Sequence, residues 1–285
     1  MSKLKIAIQK SGRLNEDSMK ILKDVGISID NGKDQLKASA KNFPLEVFYL
    51  RNGDIPQYLK DGVVDVAIIG ENVLVEKGQD ISIAEKLGFS NCKVSIAIPK
   101  GKTYNSINDL EGKRIATSYP NTVNQFLKDN NVNANLHIIN GSVEIAPNIG
   151  LADAIVDIVS SGSTLFKNNL KEVKVILKSE AVLAVSPQIS SENQAILNKL
   201  QFRLQSVLKA RNSRYVLLNV PNNKVDDIIN ILPGMKSPTV LPLAEEGWSS
   251  LHSVINKNDF WEIIDELKSN GAEGILVCPI ENMVL

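Results

Sequence analysis

Apolar residues along this chain fall into two rhythms, continuous short runs and stripes spaced three or four positions apart, whose alternation predicts strands and helices in turn and therefore an α/β fold. Lys5-Ile-Ala-Ile-Gln9 reads as a strand that leaves through Lys10-Ser-Gly12-Arg13 into an amphipathic helix over about 15–25, stopped at Gly26. Leu45–Leu50 is the next strand. Arg51-Asn52-Gly53 then turns into a helix with Asp54 as N-cap and Pro56 in its first turn, ending near Gly62. Gly62-Val-Val-Asp65-Val-Ala-Ile-Ile-Gly70 and Ala154–Val159 are buried strands, each carrying or preceded by a carboxylate.

Two pairs of segments echo one another. Ser142, Gly150 and Asp153 repeat the order and spacing of Asp54, Gly62 and Asp65, which stand 88 positions earlier, and a helix over about 142–149 is expected to match the one after Asp54. The strand and turn at 5–13 are matched by Lys113-Arg-Ile-Ala-Thr-Ser-Tyr-Pro-Asn121. Two echoes in one order predict paired α/β lobes of similar topology. The runs 94–99, 173–177 and 182–185 have no helix of their own lobe and read as strands connecting the lobes, which makes 100–174 an insertion into a first lobe of 1–99 and 175–211. This is similar to the type II periplasmic-binding-protein arrangement, in which a ligand lies between hinged lobes and both Asp-bearing strands end at the cleft.

A helix over 190–208 carries one apolar stripe through Ile196, Leu197, Leu200, Leu204, Val207 and Leu208, and 211–214 is the candidate linker. From 212 to 285 the order is strand, helix, strand, strand, helix, strand, with the first helix stopped by Pro233-Gly234. That is the ferredoxin-like, ACT-like unit. It offers no catalytic constellation, so assembly or control is its expected task.

Composition narrows the partners. The 285 residues hold 32 basic and 32 acidic side chains, which gives no charge excess to attract nucleic acid or an anionic membrane. The amino-terminal residues lack an apolar leader, and the most apolar window, 63–75, is interrupted by Asp65 and Glu71, so a cytoplasmic address is expected. Cys92 and Cys278 are lone thiols, and His137 and His252 are isolated, so neither a zinc site nor a His-based triad can be assembled.

The chemistry concentrates in Gly150-Leu-Ala-Asp153-Ala-Ile-Val-Asp157-Ile-Val-Ser160-Ser161-Gly162-Ser163-Thr164-Leu165. A carboxylate near the mouth of a strand can accept hydrogen bonds from a sugar diol, and a loop of small hydroxyl residues at a helix start can surround a phosphate. Together they suggest a sugar phosphate. Gly12-Arg13, after the first strand, is a second anion-friendly turn at a sheet edge.

Glu144, Gly150, Ala152, Ile155, Asp157, Ser161-Gly162 and Thr164-Leu165 reproduce the signature of the ATP phosphoribosyltransferases, and the chain resembles that family's long form, with a C-terminal regulatory domain, along nearly its whole length. The resemblance implies that phosphoribosyl pyrophosphate and ATP give phosphoribosyl-ATP and pyrophosphate, the first step of histidine biosynthesis. Adenine N1 attacks the anomeric carbon with its own lone pair, so no strong base is required. It also implies Mg²⁺ on the pyrophosphate, with Asp157 as a candidate contact through substrate or water, histidine as feedback inhibitor, and homo-oligomers from dimer to hexamer. On that footing Ser160, Ser161, Gly162, Ser163 and Thr164 take the donor's 5-phosphate, and Asp157 and Asp153 its ribose hydroxyls. Lys10, Gly12 and Arg13 meet phosphates, and Glu71 and Glu144 face the adenine or ribose. Ser237 and Thr239 are the candidate effector contacts.

Two rival readings remain open from the residues alone. One is a cytoplasmic two-lobed sensor or solute-binding module without catalysis, and the other is a phosphoribosyltransferase of different specificity, because the phosphate loop says little about the nucleophile.

Overall fold

The computed structural model describes residues 2–30, 35–78, 80–232, 234–235 and 237–284, which divide into two compact units, 1–198 and 199–285. Pro233, expected to stop a helix, lies outside the described residues.

Unit 1 begins with β1 (Leu4–Gln9), α1 (Arg13–Asp24), β2 (Lys37–Ser39), β3 (Leu45–Leu50), α2 (Ile55–Lys60), β4 (Val66–Gly70), α3 (Glu71–Lys77) and β5 (Ser82–Lys86). It continues with β6 (Cys92–Pro99), β7 (Arg114–Thr117), α4 (Pro120–Asp129), β8 (Asn135–Ile138), β9 (Ala154–Val159), α5 (Ser163–Lys167), β10 (Leu170–Ser179) and β11 (Ala181–Val185). The first lobe's sheet runs β2-β3-β1-β4-β11-β5 and the second's β10-β6-β9-β7-β8. Each has a parallel centre, β1 with β4 and β7 with β9, flanked by one antiparallel strand arriving from the other lobe, β11 beside β4 and β6 beside β9. The architecture is the two-lobed type II arrangement expected from the echoes.

The central strands read as unbroken apolar runs because both faces are covered. Ile6, Ile8, Ile68 and Ile69 are fully buried in the first lobe, as are Ile115, Ile155 and Val156 in the second. At roughly 1.5–3 kcal/mol for each large aliphatic side chain removed from water, these strands anchor their lobes.

Three expectations need correction. The connecting strands are not free spans: β6 and β10 pair with each other over 92–99 and 170–179 inside the second lobe's sheet. The crossing is therefore confined to the segments around Leu87–Phe89 and Glu180–Ala181, joined by the Leu87 and Ala181 N–H groups donating to Ala181 O and Phe89 O at 2.9 and 3.0 Å, and the inserted lobe is wider than 100–174. The helix expected over 142–149 is a single 3-10 turn, Val143–Ile145, followed by turns, because Pro147 has no N–H to continue a helical ladder. Asp54 precedes α2 in an αR conformation, its side chain makes no cap, and its carbonyl oxygen receives the Gln57 and Tyr58 N–H groups.

The boundary between units falls within α6 (Ser191–Arg211) instead of at a linker over 211–214. Within unit 2, β12 (Ser213–Pro221), α7 (Val225–Ile231), β13 (Thr239–Pro242), β14 (Trp248–Asn256), α8 (Phe260–Ser269) and β15 (Glu273–Pro279) follow. Their antiparallel sheet order β13-β14-β12-β15 is the ferredoxin-like order, with Val216, Leu218, Val220, Leu251 and Ile255 packed against Ile228, Leu232, Phe260 and Leu267.

Candidate functional site

β9 is buried through Val156, half-open at Asp157 and exposed at Ile158, so its carboxyl end reaches the edge of the sheet. There Ser160 and Ser161 bend the chain, and Gly162 takes φ 74°, ψ 0°, a left-handed conformation costly for a side-chain-bearing residue. A Cβ at Gly162 would meet nothing within 4 Å, so the glycine serves the turn and not a tight fit. Ser160, Ser161, Ser163 and Thr164 are exposed, and the Ser161 and Ser163 hydroxyls are 3.0 Å apart. The N–H groups of Ser161, Gly162 and Thr164 have no acceptor among the described residues. This makes a concave set of donors before α5 that suits an anion.

Asp157 stands at the inner lip of this bend. Burial pushes its carboxyl above the usual range; the Ile158 N–H, 2.8 Å from Oδ1, works in the opposite direction, and the nearby charge of Glu144 adds to the rise. Ser118 at the end of β7 donates to the same oxygen at 3.5 Å. Tyr119, the next residue, has its phenol pushed up by burial first and by Asp157 second. The charge of Glu144, in the 3-10 turn Val143–Ile145, is thus felt at Asp157, near the end of β9.

The first lobe supplies the opposite wall. A cavity of about 260 Å³ is lined by Gln9, Arg13, Asn52, Gly70 and Asn72 from that lobe, by Cys92 and its neighbours at the crossing, and by Ile158 and Ser160 from the second lobe. Arg13 opens α1 immediately after Gly12, whose φ of 87° sets the turn, and its guanidinium has no partner among the described residues. The Oδ1 of Asn52 is buried without a hydrogen bond. A cationic group, an unmatched amide and Ser160, the first residue of the bend, thus line one crevice.

Not every expected residue is here. Asp153 lies at the opposite, amino end of β9, where its carboxylate takes the Arg114 N–H, Nε and Nη2 at 3.0, 3.2 and 3.0 Å. These bonds hold its pKa down at about 2 and direct the side chain away from the bend, so Asp153 is corrected from ribose contact to a structural tie. Glu71 is turned toward Lys86, 3.5 Å away, and is absent from the crevice lining, which takes Gly70 and Asn72 on either side of it. Lys10 is exposed at the same sheet edge but outside that lining. In unit 2, Thr239 opens the exposed edge strand β13 opposite His252, and Ser237 donates only to Pro238 O at 3.4 Å.

The sequence reading missed the polar groups that join the lobes. Glu76, almost fully buried, receives the N–H groups of Asn121 and Thr122 at 3.0 and 2.9 Å and the Thr122 hydroxyl at 2.8 Å, capping α4 from the other lobe. Asn72 reaches the Tyr119 hydroxyl at 3.0 Å. The signal was present: positions 72 and 76 are one helical turn apart on a short helix, on the same buried side as Val73. A second, larger cavity of about 350 Å³ lies at the amino edge of the second lobe, lined by Lys102, Tyr104, Lys113, Arg114 and Asp153 among others. It is at the wrong end of the strands for the phosphate bend.

Among the described residues no three His, Cys, Asp or Glu side chains converge as a metal-binding group. Nor is any helix long and apolar enough to cross a membrane.

A family model described as ATP phosphoribosyltransferase matches residues 51–206, and a second, described as HisG, C-terminal domain, matches residues 210–282. Among curated proteins, an ATP phosphoribosyltransferase of Cytophaga hutchinsonii is 55% identical over 99% of this chain and 98% of its own length. One of Phocaeicola vulgatus is 52% identical over 99% of this chain and 100% of its own. Among solved structures, the ATP phosphoribosyl transferase (HisG:HisZ) complex of Thermotoga maritima aligns with a TM-score of 0.62 and 31% identity, covering 72% of this chain and 98% of that one.

Proposed function

The chain belongs to the ATP phosphoribosyltransferase family in its long form with a C-terminal domain, and from that premise we propose that the carboxyl-edge crevice of unit 1 is the site of transfer. The reaction moves the phosphoribosyl group of phosphoribosyl pyrophosphate to N1 of ATP, releasing pyrophosphate and opening histidine biosynthesis. The carrying observation is the exposed bend at 160–164, with Asp157 just before it on β9 and Ser160 sharing a cavity with Arg13.

In this reading the N–H groups and hydroxyls of Ser160–Thr164 hold the donor's 5-phosphate, and Asp157 accepts from a ribose hydroxyl. Arg13, with Gly12 setting its turn and Lys10 at the rim, attracts the phosphates of substrate or leaving group. Adenine N1 brings its own lone pair, so the protein's contribution is alignment and charge: Asp157 and Glu144 favour the positive character that develops at the anomeric carbon, and Arg13 the negative charge on departing pyrophosphate. Asp157, half-buried beside the bend, offers a carboxylate that suits an Mg²⁺ ion held chiefly by substrate oxygens. Bound there, Mg²⁺ would neutralise pyrophosphate charge. Glu71, salt-bridged to Lys86, is left as a rim group on the adenine side.

For unit 2 the proposal is histidine binding near Ser237 and Thr239. Support comes from the Ser253 hydroxyl, buried without a partner beside Gly234 and the turn leading to β13. The assembly named for the Thermotoga maritima relative supports a multi-subunit state for this chain too, and the reading is of homo-oligomers, from dimer to hexamer, in the cytoplasm.

Purified protein mixed with ATP, phosphoribosyl pyrophosphate and Mg²⁺ is followed by near-ultraviolet absorbance of the modified adenine, with and without histidine. Turnover lost in Asp157→Ala and Thr164→Ala but kept in Cys278→Ala is the expected result. A fully active Thr164→Ala protein would remove the phosphate assignment.

A further inference from the structure

Ser179 is the last residue of β10, one position before the chain crosses back to the first lobe. Its hydroxyl accepts the Asn72 N–H at 3.0 Å and donates to Asn72 Oδ1 at 2.8 Å, a reciprocal pair that is fully buried. Because Oδ1 is thereby occupied, the amide must present Nδ2 to its other neighbour. That neighbour is the Tyr119 hydroxyl, 3.0 Å away across the lobes.

Tyr119 belongs to the short turn between β7 and α4. Its own N–H is fixed by Thr117 Oγ1 at 2.9 Å, and the adjacent Ser118 hydroxyl is the one that donates to Asp157. On the far side of the turn, Glu76 pins the first residues of α4 through the Asn121 and Thr122 contacts, and the Asn121 amide returns a bond to Glu76 O at 2.9 Å. The turn is therefore clamped by α3 at two points one helical turn apart. One clamp holds the helix, and the other holds Tyr119, the residue beside Ser118. Since the Tyr119 oxygen accepts from Asn72, its own proton is left to point elsewhere, and no acceptor for it is found among the described residues.

We propose that Asn72 is a positioning residue for phosphoribosyl transfer, linking the lobe crossing at Ser179 to the Tyr119–Ser118 turn so that Asp157 and the Tyr119 proton are held in register with lobe closure. The inference rests on the placement of the reaction at Asp157. It does not require Asn72 to touch substrate. A buried amide with three satisfied bonds in a fixed pattern is well suited to this, because every change of lobe angle at Ser179 must either move Tyr119 or break a hydrogen bond.

Asn72→Ala, Tyr119→Phe, their double variant and Asp157→Asn test it by steady-state kinetics across pH, with thermal midpoints and ATP binding as checks of folding. Asn72→Ala and Tyr119→Phe are each expected to lower kcat by about tenfold, with KM values changed less than about threefold, since misalignment acts on the chemical step. The double variant should be no worse than the poorer single, because both break one chain. A folded Tyr119→Phe protein with the original kcat overturns the proposal, as does a double variant whose losses multiply. If Asn72→Ala does not fold, Tyr119→Phe, which removes one oxygen, decides alone. An inactive Asp157→Asn beside fully active Asn72→Ala and Tyr119→Phe defeats the positioning role only, whereas a fully active Asp157→Asn defeats the site itself.

Discussion

The two ends of the central strands in unit 1 contrast sharply. At the amino ends both lobes close on themselves by one device: Asp65 accepts the Lys5 N–H at 2.7 Å and returns its own N–H to Lys5 O, and Asp153 does the same with Arg114 at 3.0 and 2.8 Å. At the carboxyl ends little is closed. Among the described residues Arg13, Asn52 Oδ1 and the N–H groups of Ser161, Gly162 and Thr164 lack partners, and Asp157 is held in a neighbourhood that resists its charge. Polar groups that satisfy one another add stability, and those left unmatched at some cost await a ligand. Asp153 and Asp157, four residues apart on one strand, fall on opposite sides of that division.

The strongest way to break the contrast is at the open end. Asp157→Ala should reduce kcat/KM by about 100- to 1,000-fold in the adenine absorbance assay, as for removal of a group aimed at developing charge. Its thermal midpoint at neutral pH should stay level or rise. The sign follows from the raised pKa: folding disfavours the ionised form, and that penalty enters as pH climbs through the raised value and is absent below the unfolded one.

Next is the clamp. Glu76→Ala, which strips three acceptor contacts from the start of α4, should cost about 2–3 kcal/mol in denaturant unfolding. At the closed end, Asp65→Ala should cost about 1–2 kcal/mol while leaving kcat/KM within twofold, roughly the reverse of Asp157→Ala. Asp153→Asn should lower Tm by only about 1–3 °C, because the pair with Arg114 is largely solvated. In the unsubstituted protein the Asp153 contribution is present above the unfolded carboxylate pKa of about 3.9 and fades as pH falls toward about 2; acid titration of the thermal midpoint, compared with Asp153→Asn, reads it. Smallest is Gly162→Ala, in which left-handed strain of about 1 kcal/mol should surface mainly as weaker binding of the ribosyl donor.

Much of this was visible in the residues. Apolar runs located β1, β3 and β9 to within two residues, and the spacing shared by Asp65 and Asp153 announced the paired lobes. The bend at 160–164 could be read from its hydroxyls and glycine. What escaped were features decided by contacts distant in sequence. Asp153 looked as plausible a ligand as Asp157 because both punctuate one apolar strand, and only Arg114, 39 positions away, tells them apart. Glu71 and Asn72 are neighbours on one helix, yet Lys86 draws the first outward while Ser179, 107 positions on, holds the second within.

The sequence by itself determined the alternation of strands and helices, the duplicated lobe, the ferredoxin-like unit and the family. All of these depend on local periodicity and on spacings carried within a few dozen residues. The tertiary structure decided which carboxylate is locked and which is open, and that α3 of one lobe grips the first turn of α4 in the other. A hydrogen bond's partner is fixed by where two separate stretches of chain meet, and no pattern along either stretch contains that information.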